Sequence, residues 1–255
     1  MVLAGKDLSG KHAIVTGGGT GIGLGIAQAL AEAGAQVTIT GRRKEVLDEV
    51  AGNGLHAVQM DVADEASVVE GFAGAVDARG PISICVPNAG LATGKALNKM
   101  DMDFWRMIIG VNLDGAFLTV REAMKSMHGL DYGRVIAVSS IAGLRGLRGA
   151  PAYSASKHGM IGLMRALSED YAGSPITFNS LCPGYTDTEI ITRNTASISA
   201  RAGISEEQAL AMMVKTNKHQ RLVAVSEVAQ AAMWLCSDAA CSVNGQNIEI
   251  AGGQM

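Results

Sequence analysis

Seven short runs of apolar, largely branched residues, at 12–16, 36–40, 56–61, 82–86, 134–139, 176–182 and 247–250, alternate with stretches of helical spacing near 22–33, 65–78, 101–127, 153–171 and 226–236. A run of this length without polar alternation is what a strand buried on both faces requires. Strands that alternate with helices pair in parallel, because each crossover helix carries the chain back over the sheet. The pattern predicts an α/β fold with a mostly parallel seven-stranded sheet flanked by helices. No linker rich in proline, glycine or serine divides the 255 residues and no internal repeat is present, so 1–255 is expected to be one domain.

In open sheets of this kind, ligands bind at the carboxyl ends of the strands. Those ends here carry glycine and polar residues: Thr16 leads into Gly17-Gly18-Gly19-Thr20-Gly21-Ile22-Gly23, and later runs end at Pro87-Asn88-Ala89-Gly90, Ser139-Ser140 and Pro183-Gly184. The chain holds 32 glycines, well above the usual share of roughly 7%. In a loop between strand and helix, Gly17, Thr20, Gly21, Ile22 and Gly23 would turn the backbone sharply and offer unpaired N–H groups and a helix dipole to a pyrophosphate. Their spacing differs from the G-x-G-x-x-G fingerprint, and a structural tight turn is the alternative. No lysine follows before Lys44, so the ending of an ATP or GTP phosphate loop is missing.

Asp61 would accept a hydrogen bond from an adenine amino group, with a helix cap before Glu65 as the alternative. Asn88, Ala89 and Gly90 would let an adenosine ribose lie close to the backbone. The second run ends in Thr40-Gly41-Arg42-Arg43. A site selecting NAD offers an acidic side chain there to the ribose hydroxyls. Two arginines instead suit a 2′-phosphate through fork-like, charge-assisted hydrogen bonds. NADP(H) is therefore expected over NAD(H), with Arg42 as the better contact, the alternative being surface charge at a helix start.

Tyr153 and Lys157 stand four apart in YSASK and share one face of a helix. A phenol with a pKa near 10 is a poor base at neutral pH. A nearby ammonium would lower it and let Tyr153 give a proton to a carbonyl or take one from an alcohol. Ser140, at the exit of the fifth run, would donate to a carbonyl oxygen, with Ser139 as the alternative and a strand-end turn as the bland reading. Asn112 lies in the apolar stretch IIGVNLDGAFLTV, where an amide needs hydrogen-bonding work. It would either hold a water leading to Lys157 or satisfy a distorted helix turn.

TGGGTGIG at 16–23, DV at 61–62, NAG at 88–90, Asn112, Ser140, YSASK at 153–157 and PGYTDT at 183–188 together resemble the short-chain dehydrogenase/reductase family over nearly the whole chain. The resemblance implies a Rossmann-type dinucleotide-binding domain and hydride transfer between nicotinamide and an alcohol/carbonyl substrate. It implies a catalytic tetrad of Asn112, Ser140, Tyr153 and Lys157: Tyr153 moves the proton, Ser140 polarises the carbonyl, Lys157 binds nicotinamide ribose and depresses the tyrosine pKa, and Asn112 supports a water-linked relay. Val62 joins Asp61 in the cofactor set, and Pro183, Gly184, Thr186 and Thr188 are expected to border the nicotinamide and its carboxamide or phosphate. Two positions depart from the family pattern: Pro87 stands where asparagine is frequent, and Thr186 where Val or Ile is frequent.

The weakly periodic segment 189–225 holds an expected helix over 206–218 opened by a Ser205–Gln208 capping box, and is a candidate substrate lid. Met160, Leu163, Met164 and Leu167 with Gly159 and Gly162 form a stripe that the resemblance assigns to a homo-oligomer interface, often tetrameric. Arg145 and Arg148 would attract a carboxylate or phosphate or stay solvated. Tyr185, Ile190, Ile191, Ile198, Met212 and Met213 would line a partly apolar substrate pocket, which fits small alcohols or ketones, hydroxy acids and 3-oxoacyl thioesters alike.

A net charge of −3 without a long basic run gives nucleic-acid binding little support. No apolar stretch is long enough to span a bilayer and the start shows no clear cleavage signal, so neither membrane attachment nor export is expected. Cys85, Cys182, Cys236 and Cys241 are scattered, which points to a reducing, cytoplasmic setting and no metal site. The rival classes are a sensor or scaffold that binds NAD(P) without turnover and a Rossmann-like methyltransferase, which needs no Tyr153/Lys157 pair.

Overall fold

Residues 12–16 are all buried, and successive side chains of a strand point to opposite faces. Ile14 belongs to one apolar cluster with Val68, Phe72, Met160 and Phe178. Val15 belongs to another with Ile26, Leu30, Val228 and Ala232. A strand that feeds two cores must lie inside a three-layer sandwich. The computed structural model shows this arrangement for residues 7–215 and 217–253, with the side chains of Ile190, Arg193, Ser197 and Arg201 outside the described set.

The strands are β1 (His12–Thr16), β2 (Gln36–Gly41), β3 (Leu55–Gln59), β4 (Ile82–Val86), β5 (Gly133–Val138), β6 (Ile176–Pro183) and β7 (Asn247–Ile250), in spatial order β3-β2-β1-β4-β5-β6-β7. Every pairing is parallel. The chain runs outward from β1 to β3 and then returns to place β4 on the other side of β1. Connections leaving the tops of β1 and β4 diverge, and a crevice opens between them.

The helices are α1 (Gly21–Glu32), α2 (Lys44–Val50), α3 (Glu65–Arg79), α4 (Met102–Ile109), α5 (Gly115–Met127), α6 (Pro151–Asp170), α7 (Glu189–Ala202), α8 (Glu206–Val214) and α9 (Val225–Cys236). Five of them differ from the sequence expectation. The seven-residue α2 buries only Leu47, too little to leave a periodic signal. The stretch 101–127 is not one helix, because the five-residue π-helical turn Gly110–Asp114 separates α4 from α5. Helix α7 was not visible in its mixed Ser, Thr, Asn and Arg sequence; it ends at Gly203, whose φ of 66° suits a residue without a Cβ. The capping box of α8 is present, with the Ser205 hydroxyl accepting from Gln208 N at 3.1 Å and Gln208 Oε1 accepting from Ser205 N at 3.0 Å. Its helix stops at Val214, short of 218. The buried Asn217 then donates to Arg221 O at 2.6 Å and turns the chain back toward the sheet.

Candidate active site

The glycine loop is held from below by a residue that sequence reasoning passed over. Thr16 Oγ1 accepts from Asn88 N and Ala89 N, both at 3.0 Å, while Asn88 Nδ2 donates to Thr16 O at 2.8 Å and Gly17 O at 3.2 Å. The side chain of Asn88 thus ties the loop after β1 to the end of β4. Gly17 adopts φ of 63°, and a Cβ there would come within 3.0 Å of Ala89 Cα. Gly23 packs behind the loop instead of lining the crevice: a Cβ would meet Gly17 O and Asn88 Nδ2. The α1 start carries no side-chain cap and no acidic residue in its first turn. Its N–H groups are therefore open to an anion.

A cleft of about 500 Å³ runs from this loop to the helix bearing Tyr153. Gly17, Thr20, Gly21 and Ile22 form its floor, and Arg42 and Arg43 stand at one end. Asp61, Val62, Asn88, Ala89 and Gly90 follow along the wall, and Tyr153, Lys157 and Thr188 close the other end. Arg42 and Arg43 are exposed, and among the described residues neither guanidinium has a hydrogen bond or ion pair, while the adjacent Lys44 is engaged by Asp48 at 2.6 Å. β3 ends at Gln59, two residues before Asp61, so Asp61 sits in the following turn and not on the strand. Asp61 Oδ1 accepts from Ala63 N at 3.0 Å, and α3 is capped by Asp64 accepting from Ala66 N. The helix-cap reading of Asp61 therefore falls to Asp64.

Pro183, Gly184 and Thr186 lie behind Thr188 and do not line the cleft. Thr186 is buried, donates to Gly184 O at 3.1 Å and bridges to Val223. Its hydroxyl, the departure from the family pattern, fastens its own loop. Pro87 lacks an N–H but its carbonyl still accepts from Val138 N at 2.9 Å, so β4 and β5 stay joined there.

Ser140 leaves β5 in an extended conformation, and its Oγ accepts from Ala142 N at 3.1 Å. The same hydroxyl is near enough to the Tyr153 phenol to favour its ionised form. Ser139 lines the cleft with its hydroxyl committed to Lys157 O at 3.1 Å, which separates the two serines. Pro151 opens α6, a favoured first helical position, and places Tyr153 and Lys157 in its opening turns. Lys157 is buried, its Nζ donating to Val138 O at 2.8 Å and lying 5.9 Å from the Tyr153 ring centroid.

The electrostatics differ from the sequence expectation. Burial pushes the Tyr153 phenol above its ordinary value, and the Ser140 hydroxyl offsets this in part. Burial also pulls Lys157 down to about 8. Burial is the largest influence on both groups and favours their neutral forms. At neutral pH the tyrosine holds its proton, the form that can give it to a carbonyl oxygen.

Asn112 sits at the π-helical turn, fully buried. Its Oδ1 accepts from Leu91 N at 2.7 Å, and its Nδ2 donates to Leu91 O at 3.1 Å and Ser156 Oγ at 3.0 Å. The amide pins the segment after β4 to α6, one residue from Lys157. Among the substrate-pocket candidates, Met213 is buried between α7 and α8 with its sulfur near Thr195 Oγ1, and Met212 is 63% exposed. The side chain of Ile190 lies outside the described residues.

Residues 11–199 match the family described as short chain dehydrogenase. The chain belongs to that family. It is 36% identical to cis-4-hydroxycyclohexanecarboxylate dehydrogenase of Sinomonas cyclohexanicum over 98% of both chains. It is 33% identical to D-beta-hydroxybutyrate dehydrogenase of Rhizobium meliloti (strain 1021) over 95% of this chain and 98% of the relative. Its fold superposes on a variant of actinorhodin polyketide ketoreductase crystallised with NADPH at a TM-score of 0.92, with 30% identity over 98% of both chains. This short chain dehydrogenase is an NAD(P)-dependent oxidoreductase of an alcohol/carbonyl pair, with Tyr153 moving the proton. Among its described residues no helix is long and apolar enough to cross a membrane.

Proposed function

We propose that this short chain dehydrogenase uses NADP(H) and reduces a carbonyl by proton donation from Tyr153, with Ser140 fixing the carbonyl oxygen. The observation that carries the reading is that Tyr153 and the buried Lys157, one helical turn apart on α6, line the nucleotide-sized cleft at the end opposite Arg42 and Arg43. When bound, the nicotinamide supplies or accepts the hydride. The cleft fits such a cofactor: the glycine loop leaves space that a Cβ would fill, the α1 N–H groups are uncapped, and two uncommitted guanidinium groups stand at the far end. Gly17, Thr20, Gly21 and Ile22 would hold the pyrophosphate, Gly23 allowing their approach. Asp61 and Val62 would hold the adenine, Asn88, Ala89 and Gly90 the ribose, and Lys157 the nicotinamide ribose. The Pro183, Gly184, Thr186 and Thr188 segment would back the nicotinamide.

Ser140 donates to the substrate oxygen as charge builds on it. Tyr153 delivers its proton to that oxygen, and Lys157, charged below about 8, stabilises the phenolate left behind. Asn112 orients the segment after β4 and, through Ser156, the helix that carries both groups. Residues 1–255 act as one catalytic unit, and 189–225 serves as a lid over the substrate. A mostly apolar groove between α5 and α6, lined by Phe117, Leu163, Leu167 and Tyr171, supports a homo-oligomer, tetrameric by family resemblance; the scattered cysteines favour the cytoplasm.

Arg42→Ala tests the cofactor choice. The variant is expected to lose about 10- to 100-fold in kcat/KM for NADPH, the worth of a charge-assisted contact, and so to narrow the gap to NADH. A wild-type enzyme that already prefers NADH in the same assay contradicts the assignment.

A further inference from the structure

Thr40, near the end of β2, is fully buried, and its hydroxyl has no hydrogen-bond partner among the described residues. Buried hydroxyls are normally bonded, and one left unpaired is a cost to the fold. Val37 and Ile39 of β2 belong to the cluster with α1 and α9, so Thr38 and Thr40 face the opposite side of the sheet. There Thr38 Oγ1 meets His12 Nε2 at 2.8 Å and accepts from Arg79 Nε at 3.1 Å. Thr16 stands beside Thr40 in register on β1, and its hydroxyl accepts from Asn88 N and Ala89 N. Both neighbouring hydroxyls are satisfied, and that of Thr40 is not.

The Thr40 carbonyl accepts from Gly18 N at 3.2 Å, and the next carbonyl, Gly41 O, accepts from Met60 N at 2.9 Å. The residue is thereby held between the glycine loop and the turn that carries Asp61. It lines the cleft with Arg42, Met60 and Asp61, at the end opposite Tyr153. Ser180, whose buried hydroxyl is also unpartnered among the described residues, does not line it. Solvent does not reach the Thr40 hydroxyl, so bulk water does not supply the bond, and the open space beside this residue is the cleft. A hydroxyl both donates and accepts, which suits the ring nitrogens and ribose oxygens of a nucleoside. A bare phosphate is served instead by the exposed guanidinium groups of Arg42 and Arg43. We propose that the Thr40 hydroxyl takes its missing hydrogen bond from the adenosine half of NADP(H), which makes Thr40 a cofactor-binding residue alongside Arg42 and Asp61. The inference rests on the proposed cofactor reading and adds to it a buried contact that favours a nucleotide over other anions of similar charge.

Two variants test this: Thr40→Val keeps the branched shape without the hydroxyl, and Thr40→Ser keeps the hydroxyl. Dissociation constants for NADPH and for its fragment adenosine 2′,5′-bisphosphate are measured by calorimetry, together with the Tm of each unliganded protein. Thr40→Val is expected to bind both compounds about 10-fold more weakly than wild type, the worth of one hydrogen bond. Its unliganded Tm should equal or exceed that of wild type, because no unpaired hydroxyl remains to be buried. Thr40→Ser should bind both compounds nearly as wild type does. Wild-type affinity in Thr40→Val, a loss for NADPH without a loss for the bisphosphate, or a serine variant as weak as the valine one overturns the assignment. A lowered Tm in unliganded Thr40→Val also overturns it, since the hydroxyl would then be bonded within the protein. In each of these cases NADPH binding by the wild type leaves the cofactor reading standing. A wild type that binds neither compound overturns that reading and this inference with it.

Discussion

Replacing Tyr153 with phenylalanine is expected to lower kcat/KM for carbonyl reduction by about 10²- to 10⁴-fold, the usual worth of a positioned acid, while NADPH binding persists. The aromatic ring stays to wall the cleft and only the proton is lost. Because burial keeps the Tyr153 phenol protonated and pulls Lys157 down to about 8, wild-type reduction should be level through neutral pH and fall as Lys157 loses its charge above that value. Below it the ammonium is present to stabilise the phenolate formed on proton transfer; above it that support is gone. A Tyr153→Phe variant with near-normal turnover, measured beside cofactor binding by fluorescence, would reject the proton-transfer assignment.

Ser140→Ala should cost about 10²- to 10³-fold in kcat, the effect of removing one donor to a developing oxyanion. The hydroxyl has a structural partner as well, Ala142 N, and it acts on the Tyr153 phenol. Loss of the first resembles loss of an N-cap and costs roughly 1 kcal/mol of stability. Ser140→Thr separates the two roles, since the extended backbone at φ −172° accepts a β-branched residue and the hydroxyl is retained. The threonine variant should regain most of the stability and part of the rate. Equal kcat values for the alanine and wild-type enzymes would remove Ser140 from the chemistry.

The strand pattern was legible because each central strand is buried on both faces, which leaves a continuous apolar run in the sequence. Tyr153, Lys157 and Ser140 were legible because helical spacing and a strand end are local properties. Less visible was whatever depends on two distant segments meeting. Thr16 reads as a strand residue until β4 brings the N–H groups of Asn88 and Ala89 onto its hydroxyl. Asn112 reads as an amide in need of hydrogen-bonding partners, but only the π-helical turn aims it at Leu91 and Ser156. The direction of the Tyr153 shift differs from the sequence expectation for the same reason: spacing reveals the neighbouring lysine but not the burial around the pair. Helix α7 escaped because its sequence lacks an apolar stripe.

The central claim is that this short chain dehydrogenase performs NADPH-driven turnover and is not merely a protein that binds the nucleotide. The direct measurement is consumption of NADPH and NADH by the wild type across a panel of ketones, oxo acids and oxoacyl thioester mimics, with product alcohol quantified alongside. The account predicts stoichiometric conversion of at least one carbonyl with NADPH preferred. Tight nucleotide binding without conversion of any member of the panel would contradict it and favour a sensor or scaffold.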